Sequence, residues 1–193
     1  MPTRLLLLRH GPTAAPAGCF VGSTDVPLSG SGLARLDSLI PQLRQADYWY
    51  CSPMRRTRQT LERLQQSGCP VGSPVYDERL REINFGRWEM KTFAEISTTD
   101  QDQLAAWQQY LDFVFPEGEA VPAFLSRVND LLAEFSAAGS TVAIVTHGGV
   151  IRTMICLALS ISPRNYLLFD VQPASLTILD LFSEGGVLRG LNL

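Results

Sequence analysis

Only two histidines occur in the chain, and each closes an apolar run that turns into glycine. The first run is Leu5-Leu6-Leu7-Leu8-Arg9-His10-Gly11, and the second is Val142-Ala143-Ile144-Val145-Thr146-His147-Gly148-Gly149. A neutral imidazole attacks phosphorus and leaves again readily, and an arginine beside it can fork onto two phosphoryl oxygens. Arg9 and His10 therefore read as a phosphate-reactive pair, with Gly11 allowing a substrate to approach the backbone. At the second histidine, Gly148 and Gly149 make a strand-to-helix turn whose N–H groups can cradle an anion. A protonated His147 there would stabilise charge on a transferring group.

Two further stretches carry suitable chemistry. In Cys51-Ser52-Pro53-Met54-Arg55-Arg56-Thr57-Arg58-Gln59-Thr60 a helix follows a strand, and its N-terminus offers free N–H groups to an anion. Ser52 is the expected N-cap, Pro53 the first helical residue and Gly68 the stop. Helical geometry turns only some of Arg55, Arg56 and Arg58 inward. In Leu80-Arg81-Glu82-Ile83-Asn84-Phe85-Gly86-Arg87-Trp88-Glu89 the acids at 82 and 89, with Glu78 just before, lie in an apolar, glycine-broken loop. A carboxyl group beside a phosphate dianion is pushed toward its protonated form and can donate that proton. Spacing alone leaves Glu78, Glu82 and Glu89 all open as the donor.

These residues need a scaffold that brings strand ends together. Strands are expected at Arg4–Arg9, Asp47–Cys51, Val142–Thr146 and Leu176–Phe182, with a short piece near Val75 and a last one at Val187–Leu191. Helices fall between them, the alternation of an α/β fold with both sheet faces covered. Leu33–Leu43 shows helical periodicity that Pro41 should kink or end. A long helix spans about Ala120 to Ala138 with Gly139 as its stop, and another runs from Gly148 to about Leu159. Strands that end at a crevice beyond their carboxyl ends deliver His10 and His147 to one ligand site. Residues 87–118 hold Trp88, Trp107, Tyr110, Phe113 and Phe115 without a clear strand. They read as one or two short helices inserted over the sheet edge, either as a lid or as completion of the core.

Composition narrows the class. A chain of 193 residues, 46% hydrophobic and 18% charged, suits one globular domain spanning 1–193. A net charge of −3 argues against nucleic acid as a partner. The leading apolar run is too short for a signal peptide, and no stretch approaches the ~20 apolar residues of a membrane span. A cytoplasmic location without membrane attachment is expected. Cys19, Cys51, Cys69 and Cys156 have irregular spacing and read as free thiols. Neither histidine has a metal-ligand partner at helical spacing, so no metal is expected.

Taken in order, Arg-His-Gly, Ser-Pro-x-x-Arg-x-x-Gln-Thr, a Glu before Gly-x-Trp-Glu, and His-Gly-Gly resemble the histidine phosphatase superfamily. The resemblance runs from Leu5 to about Leu181. It implies a phosphoglycerate mutase-like fold: a mixed, mostly parallel sheet flanked by helices, with the insertion at about 87–118 lying over the active site. It also implies His10 as the residue phosphorylated, Glu82 as the proton donor, and Arg9, Arg56 and His147 around the phosphoryl oxygens. Gly148 and Thr13 complete the phosphate cradle, and no metal or cofactor is used. Two positions depart from the pattern. Pro12 and Pro16 stand where the family often has Glu and Asn, removing a side chain that usually helps hold the phosphate.

Within the superfamily, the compact length, Phe85-Gly86-Arg87-Trp88-Glu89-Met90 and Pro116-Glu117-Gly118-Glu119 are most similar to the α-ribazole phosphatases of cobalamin assembly. The implied reaction is hydrolysis of a small-molecule phosphomonoester, α-ribazole 5′-phosphate or a cobalamin phosphate. A phosphoglycerate mutase would use the same residues but is generally longer, with polar contacts for a carboxylate that the sequence does not display. A broad-specificity or regulatory sugar phosphatase, and a non-catalytic phosphate-ester binding protein, complete the alternatives. A homodimer is compatible with all of them.

Overall fold

The four leucines that open the chain alternate between two apolar layers, as the two-residue period of a strand requires. In the computed structural model, which describes residues 2–135 and 139–193, they lie in β1 (Thr3–Arg9). Leu5 and Leu7 face one layer and Leu6 and Leu8 the other, and all four are buried. Each fully buried leucine contributes about 1.5–3 kcal/mol.

The remaining strands are β2 (Tyr48–Cys51), β3 (Val75–Tyr76), β4 (Thr141–Thr146), β5 (Leu176–Phe182) and β6 (Gly185–Gly190). They form a single sheet in the order β3-β2-β4-β1-β5-β6. β1, β2, β3 and β4 run parallel, while β5 is antiparallel to both β1 and β6. The mixed, mostly parallel sheet expected from the sequence is the observed one.

One face is covered by α1 (Ala34–Ser38), α2 (Ile40–Leu43) and α3 (Arg55–Gln66), whose Leu36, Leu43, Leu61 and Leu64 meet Leu6, Leu8, Ala143 and Val145. The break between α1 and α2 at Leu39, two residues before Pro41, is the interruption the proline imposes. The other face carries α6 (Val121–Phe135) and α7 (Gly148–Ala158). The expected continuation of α6 to Ala138 falls on residues 136–138, outside the described residues.

Three expectations are corrected. α3 begins at Arg55 with Met54 as its cap residue, not at Pro53. The Ser52 hydroxyl is held by His147, and the Arg55 N–H is taken across a loop by Asp25 Oδ1 at 2.7 Å. The start of α3 is therefore closed off by Asp25 rather than open to a ligand. The insertion, α4 (Phe93–Thr99) and α5 (Gln101–Trp107), packs over one face of the sheet rather than its edge. Trp88, Ile96, Phe113 and Phe115 join the same apolar layer as Leu5, Leu7 and Ile144, because residues this large gain most where both sides are covered.

All four cysteines are free thiols, as expected. Among the described residues no helix is long and apolar enough to cross a membrane.

Candidate active site

Register explains why two histidines from opposite ends of the sequence meet. β1 and β4 pair in parallel with Arg9 opposite Thr146, so His10 and His147 both stand one residue beyond the paired ends. The His10 amide still donates to the Thr146 carbonyl at 3.0 Å. The two rings sit edge to face, with centroids 5.2 Å apart.

A cavity of about 460 Å³ opens at this point. Arg9, His10, Thr13, Glu82 and Gly148 line it, together with Gly149 and Arg152. Five of the seven expected site residues thus share one wall. Arg56 and His147 lie behind that wall, fully buried.

His10 Nδ1 stands 2.7 Å from the Gly11 carbonyl, which can only accept, so Nδ1 carries the proton. Nε2 keeps its lone pair. Burial, then the charges of Arg56 and Arg9, push the His10 pKa well below the usual histidine value. Gly11 is itself fixed by its N–H, which donates to Thr60 Oγ1 at 3.0 Å.

His147 is held from both sides. Arg56 Nε donates to its Nδ1 at 3.2 Å, so the ring proton is on Nε2 and is given to Ser52 Oγ at 2.8 Å. Burial and the Arg56 charge drive its pKa well below the usual value. The expectation of a protonated His147 therefore fails for the free protein: a second cation cannot be sustained in a dry pocket beside Arg56.

The remaining nitrogens of Arg56 donate to the Thr24 and Gly22 carbonyls at 3.0 and 2.7 Å. Glu89 accepts from the amides of the same loop, Gly22, Ser23 and Thr24, at 2.7 to 3.2 Å. One loop is clamped by carbonyls on one side and amides on the other.

The three candidate acids are now separated by their surroundings. Glu78 is exposed and pairs with Arg81, and Glu89 is committed to the Gly22–Thr24 loop. Glu82 alone lines the cavity. Its Oε2 accepts from the Gly149 N–H at 2.8 Å and its Oε1 from Ile83 N–H at 3.1 Å. Arg127 of α6 fixes the backbone of this segment by donating to the carbonyls of Arg79 and Arg81, each at 2.7 Å.

Arg9 Nη1 donates to the Val171 carbonyl at 2.5 Å, while its buried Nε has no partner among the described residues. Burial pulls its pKa down to about 10. Sequence reasoning missed Arg152, whose signal was its place four residues after Gly148, on the same face of α7.

The second glycine of the turn is required by its neighbour Glu82. A Cβ on Gly149 would come within 2.3 Å of Glu82 Oε1. Gly149→Ala is accordingly expected to displace the carboxyl group and lower kcat/KM about 100-fold, the order of effect of misplacing a reacting group by 1 Å. Steady-state kinetics on a variant with unchanged circular dichroism checks this, and near-normal turnover would remove Glu82 from the chemistry.

The phosphoglycerate mutase-like sheet, with a histidine pair at its parallel strand ends facing a cavity carboxylate, defines a phosphoryl-handling enzyme. The chain belongs to the histidine phosphatase superfamily (branch 1), whose sequence pattern matches residues 5–193, and it is a phosphatase. It is 31% identical to the adenosylcobalamin/α-ribazole phosphatase of Salmonella typhimurium over 98% of this chain and 96% of that protein. It is also 31% identical to the glucosyl-3-phosphoglycerate phosphatase of Mycolicibacterium vanbaalenii, over 84% of this chain and 77% of the relative. The crystal structure of the α-ribazole phosphatase from Shigella flexneri superposes with a TM-score of 0.84 at 28% identity, covering 98% of this chain and 96% of that one.

Proposed function

We propose that the protein hydrolyses a phosphomonoester through a phosphohistidine on His10, with no metal, and that its substrate is α-ribazole 5′-phosphate or a cobalamin phosphate. The observation that carries the chemistry is the His10–Gly11 hydrogen bond. It places the proton on Nδ1 and leaves the Nε2 lone pair for phosphorus, beside Glu82, the one carboxylate among the described residues that lines the cavity. Nε2 attacks in line and the bond from phosphorus to the leaving oxygen breaks. Glu82 gives that oxygen its proton. As a carboxylate, Glu82 then takes a proton from water, whose oxygen attacks phosphorus and breaks the P–N bond. Inorganic phosphate leaves and His10 is restored.

Charge on the phosphoryl oxygens is met by Arg9, by Arg56 behind His10, and by the N–H groups at the start of α7 at Gly148. His147 acts by fixing Arg56 Nε, and Thr13 lines the entrance beside His10. The substrate reading rests on the similarity to α-ribazole phosphatases and on an aromatic wall suited to a flat base, formed by Phe85, Trp107, Tyr110 and Phe115. It goes with a cytoplasmic enzyme acting on a small soluble ester.

Phosphate release in the presence of EDTA tests the reading, using α-ribazole phosphate, 3-phosphoglycerate, fructose bisphosphates, nucleoside monophosphates and p-nitrophenyl phosphate. A strong preference for α-ribazole phosphate is expected. Indiscriminate turnover would sink the substrate assignment and keep the chemistry, and isomerisation without release would overturn the hydrolytic route.

A further inference from the structure

Spacing leaves Glu89 open as an acid, yet in the fold it lies outside the cavity. Its Oε2 accepts from the N–H groups of Gly22 and Thr24 at 3.1 and 3.2 Å, and from the Thr24 hydroxyl at 2.7 Å. Its Oε1 accepts from the N–H groups of Ser23 and Phe85 at 2.7 and 3.0 Å. Only an ionised carboxylate accepts on both oxygens, and donors face both here. Without it, three successive amides would lose the partner that offsets their burial.

Gly22 and Thr24 turn their carbonyls to Arg56, whose Nη2 and Nη1 donate to them at 2.7 and 3.0 Å. Each terminal nitrogen retains a second N–H for a phosphoryl oxygen. The loop has no slack, since a Cβ on Gly22 would collide with the Ile83 carbonyl oxygen. The direction of the guanidinium is therefore set by a loop whose own amides are set by Glu89. Burial lowers the Arg56 pKa, and the negative charges of Glu82 and Glu89 oppose that shift.

We infer that Glu89 is a positioning residue for the transferred phosphate: it orders the Gly22–Thr24 loop, and through that loop it aims Arg56. This deepens the phosphohistidine reading and rests on it, because Arg56 enters as the cation that meets the phosphoryl charge. Its consequence is a loss that does not depend on the leaving group.

Glu89→Gln tests it, since glutamine keeps the shape but sets an NH2 against one group of N–H donors. The variant is expected to lower kcat/KM about 10- to 100-fold, the scale on which a misplaced contact acts. The factor should be equal for p-nitrophenyl phosphate and for the fastest alkyl ester of the substrate panel. Competitive inhibition by inorganic phosphate should weaken about tenfold, the share of one hydrogen bond to a charged group. Rates are taken per site that forms phosphoenzyme in a quenched reaction, so any misfolded fraction drops out. In an Arg56→Lys background the same substitution should cost less than about twofold more, because the guanidinium it aims is gone. Thr24→Val removes one donor from Oε2 and should show the same pattern with a smaller loss, which decides the matter if Glu89→Gln does not fold.

A loss confined to the alkyl ester would route Glu89 through the proton donor and overturn the inference. So would an unchanged inhibition by phosphate, or a full loss that persists in the Arg56→Lys background. If the wild-type protein gives no His10-dependent release from p-nitrophenyl phosphate, the phosphohistidine chemistry itself fails, and that outcome is distinct from the others.

Discussion

His10→Ala is expected to lower phosphate release by more than about 10⁴-fold, the scale on which removal of an attacking nucleophile acts. The variant should also lose the acid-labile phosphoenzyme that the wild-type protein forms in a quenched reaction with labelled substrate. Alanine leaves a small void at a residue with 7% of its surface exposed, so the fold should persist, and circular dichroism checks this. The pH dependence comes from the same residue. Because its pKa is depressed, His10 stays neutral below pH 6.5 and is lost as a nucleophile only well into acid. The acid limb of kcat/KM should therefore track the substrate phosphate, which titrates near pH 6. A variant that kept near-normal turnover, or still labelled with phosphate, would exclude the phosphohistidine route.

Glu82→Gln should separate the two halves of the reaction. Glutamine preserves shape and can still accept from the Gly149 N–H, so the cavity is retained. Alkyl and ribosyl phosphates, whose leaving oxygen needs a proton, are expected to lose about 10²–10⁴-fold in kcat/KM. p-Nitrophenolate leaves without one, so histidine phosphorylation from its ester should be nearly intact while water attack slows. A burst of nitrophenolate followed by accumulated phosphoenzyme is the signature. Uniform slowing on all esters without a burst would point to a structural role.

Much of this site is legible in the residues because its parts are tied to strand ends. Leu5–Leu8 and Val142–Val145 can only be buried strands, and the side chains just past the end of such a strand enter the crevice. The identity of the acid is not legible in that way. Glu82 and Glu89 sit in the same loop, and only the tertiary contacts send one to the Gly22–Thr24 amides and the other to the cavity. Ser52 looks like a cap because capping is a local preference, yet a histidine 95 residues away competes for its hydroxyl and wins. Arg152 looks like any arginine on an apolar helix until the 163–171 segment folds back and supplies the Phe169 carbonyl that aims it. The aromatics of 87–118 fit both core and lid by composition, and they divide: Trp88 and Phe113 are packed away, while Trp107 and Tyr110 reach the cavity.

The pairing of Arg9 with Thr146 has a kinetic side. A site drawn from residues 9–10, 22–24, 56, 82–89 and 147–152 has no local nucleus, since each piece is joined to the next by long loop closures. Contacts of such wide sequence separation carry a larger loop-closure cost than the hairpin of β5 and β6 or the individual helices. A partly refolded molecule can then hold nearly all its helix and sheet signal and none of its chemistry. For this chain, recovered turnover is a stricter gauge of the native state than any spectrum, because it reports the long-range pairing of β1 with β4 that helix signal does not.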